Sequence, residues 1–271
     1  MNKSPLGGAA AASRKLSLTI GILTLNEEDN IEDCIRSASF ADQVIVVDSG
    51  STDRTTAIAC DLGAQVFRYD DWQGFALQRN RLLAHARGDY VFFLDADETI
   101  SPEFRDELLS IVQSGEEAIW MVRWRMVAFG KELKYLRSTA KVERLFWRGL
   151  LREYTGVVHE EAQLLREDVP RHLMETPLLH HSRSTVHSSL EKLTQYAMLG
   201  AAKRAAEGAR GGILRGMAAS LAMFVRLYFF HFGFLGGGAG FLYCLFVALE
   251  SFFRYAALAY DRPHLSGDVR R

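Results

Sequence analysis

Four apolar, β-rich runs separated by helix-length segments restrict this chain to an α/β architecture. The runs are "LSLTIGILTL" (residues 16–25), "QVIVVD" (43–48), "AQVFRY" (64–69) and "DYVFFLD" (89–95). The first is apolar nearly throughout, as a strand covered on both faces of a sheet must be. Between the four runs lie helical patterns. Asp29 or Asn30 can cap a helix with Ile31, Cys34, Ile35 and Ala38 on one face. "TTAIACDLG" (55–63) stops at Gly63, and "GFALQRNRLLAHARG" (74–88) precedes the fourth run. "SPEFRDELLSIVQ" (101–113) opens with Ser101 as cap and Pro102 at the first helical position. Strands alternating with such helices predict βαβ units and a mostly parallel sheet sandwiched by helices.

After residue 115 the pattern changes. "AIWMVRWRMVAFG" and "KVERLFWR" predict longer strands or a hairpin, "YTGVVHEEAQL" and "TPLLHHS" shorter strand-like pieces. A helix is expected over 188–208, with Leu190, Leu193, Ala197 and Ala201 at helical spacing. Residues 213–260 are richer in aromatic and aliphatic side chains. Residues 227–249 match a bilayer span by length alone, with His231 their only group titrating near neutral pH. Gly233 and "GGGAG" (236–240) interrupt that span. A glycine-turned pair of amphipathic helices lying in a membrane interface accounts better for Arg215, Arg226 and Arg254 among aromatics.

Composition narrows the function classes. With 271 residues, 48% hydrophobic, the chain can build one sizeable core plus an appendage. A net charge of -1 leaves no electrostatic footprint for nucleic acid. Cys34, Cys60 and Cys244 follow no ligand spacing and fit a reducing compartment. "MNKSPLGGAAAASRK" lacks the apolar centre of a signal peptide, so residues 1–15 read as a flexible lead and the catalytic part as cytoplasmic.

Each β run ends in a polar cluster: "TLNEED", "VDSGSTD", "YDD" and "LDADE". Any one could be ordinary turn chemistry. Parallel topology gathers such ends at the carboxyl edge of the sheet, where ligands bind. Asp95 and Asp97 share a side if the chain stays extended, and two converging carboxylates repel unless a cation lies between them. Mg²⁺ or Mn²⁺, completed by phosphate oxygens and water, suits such a pair; the bland reading is a helix-capping acid with a solvated neighbour. Asp48 is placed for a ribose or uracil contact, while Asp53 either serves a ligand or caps the helix at Thr55. In "LQRN", Arg79 could meet a pyrophosphate and Asn80 could orient a base or a carboxylate. "YTGVVHEE" offers a glutamate beside a histidine as a general base, or an exposed acidic turn. "LLHHS" brings His180 and His181 to another strand end, where one could complete a metal shell.

"ILTLNEEDNI", "VIVVDSGSTDRT", "QRN", "GDYVFFLDADE" and "GVVHEE", in this order, resemble family 2 glycosyltransferases of the GT-A fold. The likeness is closest to the branch that adds sugars to the lipopolysaccharide inner core, which includes a β-1,4-glucosyltransferase. It covers residues 17–185, and the C-terminal segment more loosely. It implies a Rossmann-like catalytic domain over 16–187, with a nucleotide-sugar half to about residue 115 and an acceptor half after it. A helical, membrane-associating segment over 188–271 would follow.

The resemblance also implies a nucleotide-diphosphate sugar donor (UDP by family weight), a divalent metal, inversion at the anomeric carbon, and a cell-envelope glycan or glycolipid acceptor. By motif, Thr24, Asn26, Glu28, Asp48 and Ser51 would line the nucleotide pocket, and Gln78, Arg79 and Asn80 would sit near ribose and phosphates. Asp97 would be the principal metal ligand, with Asp95 beside it or on ribose, and His181 as a further ligand. Glu160 would be the base and Glu161 its substitute, because the QXXRW segment of many family members is missing here. Work at the inner face of the cytoplasmic membrane, docked through 213–260, follows from a lipid-linked acceptor. Two other readings compete: "DADET" also fits the DxDxT loop of a phosphohydrolase, and a non-catalytic nucleotide-sugar-binding or membrane scaffold protein needs no base.

Overall fold

The computed structural model describes residues 15–136, 140–156 and 160–265. Residues 1–14 of the N-terminal lead expected over 1–15, the histidine of the "VHE" element (His159) and the last six residues lie outside them. The chain divides into two compact units.

The first unit is formed by Met1–Ala96, Pro102–Trp120 and Glu143–His172. Its elements begin with β1 (Leu18–Thr24), α1 (Ile31–Ala38), β2 (Gln43–Asp48), α2 (Thr55–Asp61), β3 (Gln65–Arg68), α3 (Phe75–His85) and β4 (Tyr90–Asp95). The chain continues through β5 (Glu98–Thr99), α4 (Pro102–Ser114), β6 (Ile119–Val122), β7 (Trp124–Ala128) and β8 (Lys131–Glu132). Then come β9 (Val142–Trp147), β10 (Leu151–Thr155), β11 (Glu161–Leu164), β12 (Arg171–Leu173) and β13 (Leu178–Arg183).

The main sheet has seven strands in the order β12-β6-β9-β4-β1-β2-β3. Pairing is parallel from β4 through β1 and β2 to β3, and antiparallel between β4 and β9. The expected mostly parallel α/β sheet is therefore present, with an antiparallel side. The strands β1 and β4 are buried along their length because helices cover both faces. Ile45, Val47, Leu82, Val91, Phe93 and Phe146 form part of one continuous core. Gly21 on β1 faces α3; a Cβ there would lie 2.2 Å from Leu82 Cδ2, so only a bare backbone lets this helix settle on the sheet.

The α1 cap differs from expectation. Asn30 occupies the cap position, but its side-chain amide donates to Glu27 Oε2 at 2.8 Å rather than serving the helix.

The second unit is formed by Asp97–Ser101, Met121–Val142 and Leu173–Arg271. Its sheet runs β5-β13-β7-β8, with β13 parallel to β7. Three helices follow: α5 (Val186–Ala206), α6 (Ile213–Val225) and α7 (Gly237–Tyr260). Thr185 and Ser188 form a reciprocal capping box at the start of α5. The turn between α6 and α7 is made by Phe232, in the left-handed region at φ 61, and by Gly233–Gly236. The "GGGAG" run expected to break the segment lies mostly inside α7 instead. Its small residues permit close packing: a Cβ on Gly240 would meet the Gly233 carbonyl oxygen at 2.1 Å.

Arg183 at the end of β13 pairs with Glu250 of α7, donates to the Ser189 carbonyl at 3.2 Å, and lies 5.2 Å from the Phe246 ring centre. Both charges are buried, so removing one strands the other. Arg183→Met is expected to lower stability by about 3–5 kcal/mol. Adding Glu250→Leu should restore much of the loss, as read by chemical denaturation of both variants.

Candidate active site

In the first unit, the strand order reverses between β1 and β4: β2 and β3 lie on one side of β1, β4 on the other. At such a switch point the connections leaving adjacent strand ends diverge and open a crevice. Of the residues singled out, Thr24, Asn26, Asp48, Ser51 and Asp95 stand at this edge of the unit.

Asp48 ends β2 fully buried. One carboxylate oxygen accepts from the Gly50 amide at 3.0 Å and the Ser51 amide at 2.9 Å; the other takes the Ser51 hydroxyl. Gly50 holds φ 98, which is why glycine stands there. Asp48 thus shapes the loop from within. Asn26, left-handed at φ 53, donates its backbone N–H to Ser51 Oγ at 2.8 Å, and its side-chain Oδ1 accepts from the Thr52 backbone N–H at 2.9 Å. Asparagine tolerates that conformation better than most residues.

Glu28 accepts from the Arg54 amide at 3.0 Å, and its own amide donates to Asp53 at 3.2 Å. Asp53 also accepts from the Thr55 amide at 3.0 Å and from its hydroxyl at 2.5 Å, bracing the start of α2 from one residue before its cap position, Arg54. Partial burial pushes the Asp53 carboxyl upward, but the Thr55 and Glu28 bonds outweigh it and hold the group below its ordinary range. The Thr24 hydroxyl is buried and has no hydrogen-bond partner among the described residues. In native structures such an oxygen usually awaits one.

The "QRN" residues of α3 separate into three tasks. Gln78 is fully buried and donates to Ser49 Oγ at 3.0 Å, bracing the β2 loop from below. Asn80 uses both ends of its amide on Tyr154, donating to its carbonyl at 2.9 Å and accepting from its amide at 2.7 Å. It therefore fixes β10 and is not available to orient a base or a carboxylate, the role its sequence position invited. Arg79 keeps its charge at the strand ends. Its guanidinium lies 3.4 Å from Glu160 Oε1, 3.9 Å from Asp95 Oδ1, and within cation–π range of two rings, 5.2 Å from the centre of Phe93 and 5.4 Å from that of Tyr154.

Asp95 meets a partner that sequence reasoning missed. Arg144 of β9, 1% exposed, forks onto both its oxygens, Nη1 to Oδ1 at 3.1 Å and Nη2 to Oδ2 at 2.5 Å. The result is a chain of alternating charge, Glu160–Arg79–Asp95–Arg144. An arginine inside the apolar run "VERLF" was the available signal, because a buried guanidinium requires a carboxylate. The side chain of Tyr154 closes over this chain; burial raises its phenol above the ordinary value despite Arg79 and Arg144 nearby. Of the two candidate bases, Glu160 is part-buried beside Arg79, whereas Glu161 starts β11 opposite Thr155 and is exposed.

Asp97 belongs to the second unit. The chain leaves the extended conformation after Asp95, and Ala96 and Asp97 form a turn, so the period-two argument for a paired carboxylate site does not apply. The Asp97 carbonyl accepts from the His181 amide at 2.7 Å. Its carboxylate has His180 Nδ1 3.6 Å from one oxygen and Lys192 Nζ 3.7 Å from the other. His181, expected as the metal ligand, turns its ring the other way, onto Thr99 Oγ1 at 2.8 Å. Alternation along β13 makes this unavoidable: neighbouring residues face opposite sides, so the imidazole at Asp97 is that of His180. Glu98, on β5 opposite His180, is buried and accepts from Trp124 Nε1 at 2.5 Å.

A divalent ion fits the donors at Asp97. The carboxylate and the His180 nitrogen supply one oxygen and one imidazole. No group of three or more His, Cys, Asp or Glu among the described residues could hold an ion unaided. Phosphate oxygens and water would complete the shell, as is usual for Mg²⁺. Asp95 is already neutralised by Arg144, so the charge such an ion needs falls to Asp97.

Comparison with known proteins places this geometry. The chain is 28% identical over 266 residues to the lipopolysaccharide core biosynthesis glycosyltransferase LpsC of Rhizobium meliloti, covering 93% of this chain and 97% of that one. It is 26% identical over 254 residues to an uncharacterized glycosyltransferase of Rickettsia felis, covering 88% and 87%. The S. aureus TarS 1-349 structure in complex with UDP-GlcNAc overlaps 64% of this chain and 61% of its own at 17% identity, with a TM-score of 0.47. Residues 19–166, which carry the β1–β4 crevice and Glu160, match glycosyl transferase family 2. The protein belongs to that family and is a glycosyltransferase.

Proposed function

We propose that this glycosyltransferase moves a sugar, with inversion, from a nucleoside-diphosphate donor to a hydroxyl of a cell-envelope glycolipid such as lipopolysaccharide core. The donor reading rests on one observation: the loops after β1 and β2 are braced around an orphaned Thr24 hydroxyl, with Arg79 and Asp95 at the adjoining end of β4. In this reading the loop amides and the Thr24 hydroxyl receive the nucleoside, and Asp95, set by Arg144, receives ribose or the donor sugar. Asp97 with His180 would hold a Mg²⁺ or Mn²⁺ ion, which when bound offsets the negative charge developing on the leaving diphosphate. Glu160 takes the proton of the acceptor hydroxyl as that oxygen attacks the anomeric carbon. Arg79 keeps Glu160 oriented for this task.

The acceptor reading draws on the LpsC likeness and on the C-terminal helices. Ile213–Phe230 and Gly233–Tyr260 are each long and apolar enough to cross a membrane, and the first is only 6% buried. Leu214, Met217 and Leu221 line one exposed stripe of α6, continued by Phe229 and Phe230. A stripe of that size is uncommon on soluble monomers. With Arg210, Arg215 and Arg226 close by in the chain, it suits the surface of an anionic bilayer, and hence a catalytic domain on the cytoplasmic face. The division into a donor half, an acceptor half and a membrane-associating segment is part of the same reading.

The test is a donor screen with UDP-, GDP- and ADP-sugars in the presence of Mn²⁺ or Mg²⁺, with and without a truncated lipopolysaccharide acceptor. Transfer to the acceptor supports the reading, and no release of nucleotide from any donor defeats it. Flotation with anionic vesicles tests docking separately: protein that stays wholly in the soluble fraction at physiological salt removes the membrane assignment.

A further inference from the structure

The Asp97 carboxylate already has a cation beside it. Lys192 extends from the second turn of α5, donates to the Ser182 carbonyl at 3.1 Å, and brings its ammonium to 3.7 Å from Asp97 Oδ2. Along α5 the positions one turn away are Ser188, Ser189, Gln195 and Tyr196, none of them acidic. Its side chain is 29% exposed and that of Asp97 18%, so the pair is partly withdrawn from solvent. At 3.7 Å the ammonium neutralises the carboxylate without a hydrogen bond locking the two together.

A lysine in this position conflicts with a divalent ion at the same carboxylate, since two cations on one oxygen pair repel. The conflict is resolved if the ammonium has somewhere else to go. Lysine carries its charge on four rotatable carbons and binds phosphate as a point charge, so a diphosphate arriving at Asp97 offers that destination. Resting on the donor reading above, we propose that Lys192 is a diphosphate-binding residue: it occupies Asp97 while the donor is absent and turns to the diphosphate once Asp97 is given over to the donor's cation. It would then hold positive charge where negative charge builds up as the sugar leaves.

The two halves of this role pull binding in opposite directions, which a packing residue would not do. In Lys192→Met, Mn²⁺ alone, titrated by its electron paramagnetic resonance signal, should bind about threefold more tightly, because a resident competitor is gone. The nucleoside diphosphate that binds best among UDP, GDP and ADP, titrated calorimetrically at saturating Mn²⁺, should bind about tenfold more weakly. Lys192→Arg keeps the charge, and its Mn²⁺ affinity should not exceed that of the wild type. Unchanged or weaker Mn²⁺ binding by Lys192→Met overturns the proposal. So does unchanged diphosphate binding, or an arginine variant that tightens Mn²⁺ as the methionine variant does. A wild-type protein that binds neither Mn²⁺ nor any of the three diphosphates would overturn the donor reading itself and this role with it. A failure confined to the variants leaves the donor reading standing.

Discussion

Asp97→Ala is expected to cut sugar transfer by about three orders of magnitude or more, with the fold intact. The side chain contributes little to stability: its contacts with His180 and Lys192 are longer than hydrogen bonds and partly solvated. Removing it leaves a divalent ion the His180 imidazole alone, with the Lys192 ammonium close by and no carboxylate to offset its charge. The measurement pairs donor turnover at saturating Mn²⁺ with a thermal melt. A melting temperature within a few degrees of wild type and near-complete loss of turnover is the expected pattern. Turnover close to wild type in the purified variant would remove Asp97, and the ion it is assigned, from the reaction.

Glu160→Gln should lower kcat by about 10²–10⁴-fold while donor affinity stays within about threefold. Glutamine preserves the size of the side chain and can still meet Arg79, 3.4 Å from the present carboxylate. It cannot accept the acceptor's proton. Glu161→Gln is the control, because Glu161 is exposed on the edge hairpin and Glu160 is the one turned toward Arg79. Steady-state kinetics with acceptor varied, beside calorimetric binding of the donor nucleotide, separate the two effects. If Glu161→Gln loses the rate and Glu160→Gln keeps it, the base is Glu161 and the Arg79 contact is structural.

Much of the first unit could be read before any coordinates. The four β-rich runs became the parallel strands β1 to β4, and helical spacing located α1 to α4 within a few residues, because periodicity is a local property of the chain. The later strands were harder. Arg123 breaks the run "AIWMVRWRMVAFG" into β6 and β7, which belong to different sheets, and no local pattern announces that. Cap chemistry was also only half legible: Asp53 does bond the first amide of α2 but from one residue before the cap, Arg54, and Asn30 spends its side chain on Glu27.

At the candidate site, sequence by itself determined which residues stand at the carboxyl ends of the strands, because parallel topology turns strand ends into neighbours. The resemblance of its motifs to family 2 glycosyltransferases is what made sugar transfer the chemistry to test. Only the tertiary structure decided what each side chain touches. Arg144 reaches Asp95 across 49 residues, Asn80 spends its amide on β10, and His180 rather than His181 faces Asp97. These choices depend on which strand lies beside which, and on the side to which each alternating residue is turned. Strand periodicity gives only the alternation; long-range pairing assigns the partner.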